Sequence, residues 1–228
     1  MRLFHIICTS ILILVSIPKT ELMAQANAKI IYIGDPMCSW CYGFEPELTT
    51  VKDTFNELEF ELILGGLRPY SKEKMSDLSE FLRHHWEEIA EKTGQKFSYE
   101  LLEQDDFVYD TEPASRAVVC AQQQNEEVTM PFYKAVQEAF YRDNKSTHDI
   151  NTYLTIAKTF DLDTDLFEFS YSEDETLKAT RDNFLKAQEM GVRGFPTLML
   201  EKDGELHLIS NGYQSADVII KKIRKIIE

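Results

Sequence analysis

The chain has 228 residues, of which 43% are hydrophobic, and a formal net charge of −15. That balance excludes a nucleic-acid partner, which would need clustered Lys and Arg to neutralise phosphates. It favours solubility and leaves open most kinds of enzyme and binding protein.

Residues 1–26 read as a cleavable signal peptide. Arg2 gives a basic start, residues 3–17 are almost wholly apolar, and Ala24, Gln25 and Ala26 supply a small-residue cleavage pattern. The apolar run is shorter than the ~20 residues a spanning helix needs, so a membrane anchor is not expected. Cys8 falls in the discarded segment. Cleavage after Ala26 leaves 202 residues at net charge −16, enough for one core or for one domain carrying a large insertion. No other stretch reaches membrane length, so an exported protein, periplasmic or secreted, is expected.

Residues 29–34 form a short buried strand pattern, closed by Asp35 and Pro36. Cys38, Ser39, Trp40 and Cys41 follow. Leu48, Val51, Phe55 and Leu58 then share one helical face, with Pro46 placed to kink that helix. Residues 60–64 make a second strand, ended by Gly65 and Gly66. Strand, helix and strand in this order favour a parallel pair. From 71 to 190 the pattern turns helical. One stripe is Met75, Leu78, Leu82, Trp86 and Ile89, and further helices are expected over 114–123, 132–141, 150–160, 165–169 and 173–190. Phe132, Tyr133, Phe140 and Tyr141 read as core, with a peptide groove as the alternative. Strands return at 197–200 and 206–209, flanking the Asp203-Gly204 hairpin signal. Ser215 is expected to cap a last helix that turns Ala216, Ile219, Ile220, Ile223 and Ile227 inward. The fold class is therefore α/β, a βαβ unit and a ββα unit interrupted by helices. The boundaries are 27–70 and 191–228 for the α/β domain and 71–190 for the helical insertion domain.

Three cysteines remain in the exported chain: Cys38, Cys41 and Cys120. Cys38 and Cys41 are three residues apart at a helix start, so their Cβ atoms lie about 5–6 Å apart, close to disulfide range. A thiolate on Cys38 would meet unpaired N–H groups and the positive end of the helix dipole, which lower a thiol pKa. Cys41, one turn in, suits the resolving role. Two other readings of the pair stay open: half of a zinc site and an inert structural disulfide. Zinc lacks its second half, because His84 and His85 are adjacent and point about 100° apart on a helix. A three-residue disulfide loop would constrain the unfolded chain only weakly. Cys120 lies on a helix face with Ala114, Ala117, Val118 and Ala121 and reads as a buried inert thiol. Asp35 could relay protons for Cys41, or simply end its strand or cap the helix.

Asp35-Pro36-Met37-Cys38-Ser39-Trp40-Cys41 after a first strand, together with Gly194-Phe195-Pro196-Thr197 before a late one, resembles the DsbA-like branch of the thioredoxin superfamily. Within it the chain is most similar to FrnE-like members, described as predicted disulfide isomerases. The resemblance spans the whole exported chain. It implies a thioredoxin-like fold split by a helical domain, Cys38 as nucleophile, Cys41 as resolving cysteine, and a cis bond before Pro196. It further implies that the Phe195 and Pro196 loop, with Trp40, receives an extended substrate segment by strand addition. No cofactor and no metal follow from it. The implied partners are proteins carrying thiols or disulfides and a redox recycling partner. Ser39-Trp40 stands where the oxidant DsbA has Pro-His, so the direction of electron flow is left open. Two other functions remain in view: a glutathione-dependent isomerase or transferase on the same fold, and a non-catalytic chaperone.

Overall fold

The computed structural model describes residues 28–228. The expected signal peptide and Cys8 lie outside them. Four strands form one sheet: β1 (Ala28–Gly34), β2 (Glu59–Leu64), β3 (Thr197–Lys202) and β4 (Glu205–Asn211), in the order β2-β1-β3-β4. β1 and β2 are parallel, with Ile33 opposite Ile63. β3 is antiparallel to both β1 and β4. The first and last parts of the chain thus share one sheet, which is the thioredoxin-like arrangement.

β1 is buried on both faces, as its continuous apolar run requires. Ile30 and Tyr32 face the main core, while Ile31 and Ile33 face a smaller cluster with Ile63 and Ala187. This is the two-residue alternation of a pleated strand. Asp203 (φ 53°) and Gly204 (φ 82°) both take left-handed backbone, the geometry of a tight hairpin between β3 and β4.

α1 (Ser39–Thr54) follows β1 and is continuous through Pro46. Proline lacks the N–H that would bond the Tyr42 carbonyl, and the Gln95 side-chain amide donates to that carbonyl instead, at 3.0 Å. α1 stops before two residues expected on its face: Phe55 caps it and Leu58 lies in the following turn. Both are still buried, because the turn folds back onto the same core. Between β2 and β3 lie α2 (Ser79–Thr93), α3 (Glu112–Gln124), α4 (Thr129–Tyr141), α5 (Ile150–Thr159), α6 (Thr164–Ser172) and α7 (Asp174–Glu189). Met75, Leu82, Trp86 and Ile89 form the buried stripe read from the sequence, and Leu78 is partly buried against it. Phe132, Tyr133, Phe140 and Tyr141 are all buried, so the core reading of that cluster holds.

α8 (Ala216–Ile227) closes the chain. Ala216, Ile219 and Ile223 are buried, while Ile220 and Ile227 pack at the edge. Its N-terminus corrects the sequence reading. Ser215 sits at the cap position but makes no side-chain capping bond. The Glu47 carboxylate of α1 accepts the Ala216 N–H at 2.6 Å instead, and also the Tyr213 hydroxyl at 3.0 Å. Among the described residues no helix is long and apolar enough to cross a membrane.

Candidate active site

The site is built where β1 hands over to α1. Cys38 occupies the N-cap of α1, with extended backbone (φ −89°, ψ 114°), and its Sγ accepts the Cys41 N–H at 3.4 Å. The two cysteines are free thiols, and Cys38 is 5% exposed against 1% for Cys41. Cys38 is therefore the more exposed residue of the pair.

The preceding loop is held from three sides. Asp35 is fully buried; its Oδ1 accepts Met37 N–H at 2.8 Å and its Oδ2 accepts Leu67 N–H at 2.7 Å. The Asp35 carbonyl accepts Cys38 N–H at 3.0 Å. The Tyr109 hydroxyl donates to the Met37 carbonyl at 2.6 Å. Asp35 thus ties the loop before Cys38 to the segment after β2. Burial pushes its carboxyl up from 3.8 to about 6, against the bonds from Leu67 and Met37 that favour its charge.

The Cys38 thiol is also pushed up, well above the usual thiol range. Its bond to the Cys41 sulfur contributes most, burial next and the charge of Cys41 third, while the Cys41 N–H opposes them. The expectation that the helix start lowers this thiol is thus not met.

Phe195 approaches Cys38 from the far end of the chain. The Phe195–Pro196 bond is cis, and the Phe195 carbonyl accepts the Cys38 thiol at 3.8 Å. The Phe195 ring lies on Gly65, where an added Cβ would come within 2.0 Å of ring carbon Cε1. Gly65 therefore does more than end β2, since its missing side chain is the space the ring fills. Trp40 stands half-buried in the first turn of α1, 5.7 Å from the His85 ring and 5.9 Å from that of Tyr213, with the Lys92 ammonium 5.4 Å from it. Cys120 is remote from this sequence motif on α3, and burial pushes its thiol up to about 12. A thiol in that state is unreactive at neutral pH. Among the described residues no group of three or more His, Cys, Asp or Glu could hold a metal ion.

Two groups that hold the loop before Cys38 were not legible in the sequence. Tyr109 comes from the irregular segment before α3, where no periodic pattern marks it. Leu67 contributes through its backbone alone. Hydrogen bonding by buried hydroxyls leaves no trace in hydropathy.

The sequence matches the family model described as Thioredoxin over residues 31–221. The chain belongs to the thioredoxin family. No curated protein matches it. Among solved structures, a candidate protein disulfide isomerase from Nitrosomonas europaea superposes with a TM-score of 0.80 at 28% identity, covering 87% of this chain and 97% of that one. The cytosolic disulfide reductase DsbM from Pseudomonas aeruginosa gives 0.72 at 25% identity, covering 87% and 98%. A probable DsbA oxidoreductase from Streptomyces coelicolor gives 0.69 at 14% identity, covering 87% and 89%, a likeness of fold alone. Its family and these neighbours make this thioredoxin-family chain a disulfide oxidoreductase in general.

Proposed function

We propose that Cys38 and Cys41 exchange thiols and disulfides with exported proteins. The observation that carries this reading is Cys38 at the N-cap of α1, with its sulfur 3.8 Å from the Phe195 carbonyl. Once its proton has left for solvent, the Cys38 thiolate attacks a substrate disulfide. A Cys38–substrate disulfide forms, and the other substrate sulfur leaves as a thiolate. Cys41 then attacks the Cys38 sulfur, forms the internal disulfide and releases the second substrate thiolate. Run backwards, the same steps oxidise a dithiol, and a forward step followed by a reverse one isomerises. The Phe195 backbone and the Trp40 ring flank the sulfur and receive the extended substrate segment. Asp35 holds the loop that presents Cys38, and its two backbone bonds support that part over direct proton relay. The apolar segment at 3–17, with cleavage after Ala26, directs the chain to the periplasm or outside the cell, and a redox partner returns the pair to its starting state.

The test is catalysed exchange on a scrambled or disulfide-bonded protein. Cys38→Ser should abolish it, and Cys41→Ser should trap substrate on Cys38 as a mixed disulfide visible by mass spectrometry. Full activity in Cys38→Ser would refute the proposal. N-terminal sequencing of the exported protein should begin at Asn27.

A further inference from the structure

Phe81 is 62% exposed on α2, whose core side is carried by Leu82, Trp86 and Ile89. It does not stand alone. His85, one turn on, stacks on it with ring centroids 5.5 Å apart and planes at 14°. The His85 ring meets the Trp40 ring edge-on at 5.7 Å. Tyr213, from the segment before α8, lies 5.9 Å from Trp40. Rings from α2, from the turn between Cys38 and Cys41 and from the segment before α8 thus form one continuous run. A connected set of partly exposed rings is the kind of patch that marks a contact surface, unlike a single exposed side chain.

The run is held in place. The Glu47 carboxylate accepts the Tyr213 hydroxyl at 3.0 Å. The Lys92 ammonium lies 5.4 Å from the Trp40 ring and 5.2 Å from the Tyr213 ring, within the range of a cation–π contact to both. Phe81, His85 and Lys92 fall at i, i+4 and i+11, so they share one side of α2. With His85 against one face of Phe81, the exposure of that ring falls on its other face and its edge.

We propose that this aromatic run is the specificity surface of the exchange site, and that it selects protein segments carrying an aromatic side chain close to the reacting cysteine. The inference rests on the exchange role of Cys38 and Cys41. Trp40 belongs to the turn that holds the nucleophile, so the run is continuous with the place where a substrate cysteine must arrive. An incoming ring stacks on the open face of Phe81 and takes apolar surface from water on both partners. Lys92 and Glu47 keep Trp40 and Tyr213 in position, so little ordering remains to be done on binding. Phe81 and His85 meet the substrate away from the sulfurs. They decide which segment binds and leave the bond being exchanged to Cys38 and Cys41.

The test is a set of cysteine peptides, each joined through its sulfur to thionitrobenzoate as a mixed disulfide and offered to the reduced exported protein in single turnovers. Exchange forms the internal disulfide of Cys38 and Cys41, whose thiol protons go to solvent, and both substrate sulfurs leave as thiolates. The absorbance of thionitrobenzoate reads the rate. One series scans Phe along the residues flanking the cysteine, a second scans Glu, and the reference has Ser throughout; each rate is divided by that of the same peptide with free glutathione. The best Phe peptide should react about three to ten times faster than the reference, the scale of one aromatic contact. Phe81→Ala should bring that ratio close to one, and Phe81→Tyr, which keeps the ring, should preserve it. Lys92→Gln should lower the ratio by less. A ratio cancels any change in Cys38 reactivity common to all peptides, and Phe81 is exposed, so its loss spares the core. Equal rates for Phe and Ser peptides in the natural protein would overturn the inference, as would a Phe preference that survives Phe81→Ala. A preference for Glu that is lost in Lys92→Gln would also overturn it, since it marks selection by charge. Release from no peptide is a different result: it removes the proposed function, whereas equal release from every peptide leaves that function standing and removes this inference alone.

Discussion

Asp35→Asn isolates the effect of one buried carboxyl. Asp35 is completely buried, and its pKa is raised from 3.8 to about 6. The native carboxyl therefore binds its proton more tightly than the unfolded one. Its favourable contribution is fully present below the unfolded pKa and is lost as pH rises through about 6. A shift of roughly two units corresponds to about 3 kcal/mol, most of it between about pH 4 and pH 7. Asparagine cannot ionise and removes that slope. It also accepts only one of the Met37 and Leu67 N–H bonds well, which costs a constant of about 1–3 kcal/mol at every pH. The two effects differ in pH dependence, so urea unfolding of both proteins across that range separates them. Relative to the natural protein, Asp35→Asn should be less stable at about pH 4 and should recover by about 2–3 kcal/mol at about pH 7.5. All other titrating groups cancel in the difference. Parallel stability curves for the two proteins would refute the assignment of a raised Asp35 pKa.

Two packing predictions accompany it. Gly65→Ala places a methyl 2.0 Å from the Phe195 ring, so it should destabilise by about 1–3 kcal/mol. It should also reduce exchange about tenfold by displacing the Phe195 carbonyl from Cys38, and Phe195→Leu added to it should restore part of both. Glu47→Ala removes the acceptor for Ala216 N–H and the Tyr213 hydroxyl. Thermal unfolding should show a loss of about 1–2 kcal/mol, the scale of a lost helix cap, whereas Ser215→Ala, which removes no capping bond, should leave the midpoint nearly unchanged.

The contrast between Glu47 and Ser215 shows where reading the sequence reaches its limit. Local patterns were legible: the two-sided burial of β1, the stripe through Met75, Leu82, Trp86 and Ile89, and the Asp203-Gly204 turn all follow from geometry repeated over a few residues. The spacing of Cys38 and Cys41, set between a strand and a helix, already specified a pair able to reach disulfide range. Three features were not legible. α8 is capped by a carboxylate 169 positions away in sequence. The Cys38 thiol is raised, because its bond to Cys41 and then burial outweigh the helix start. Tyr109 acts through a hydroxyl that hydropathy counts only as core. Sequence by itself determined which segments form strands and helices and which two sulfurs stand together, since both depend on neighbours along the chain. Tertiary structure alone decided the burial of those sulfurs and the bond from Cys38 to the Phe195 carbonyl, since desolvation and directed bonds depend on groups brought together from distant parts of the chain.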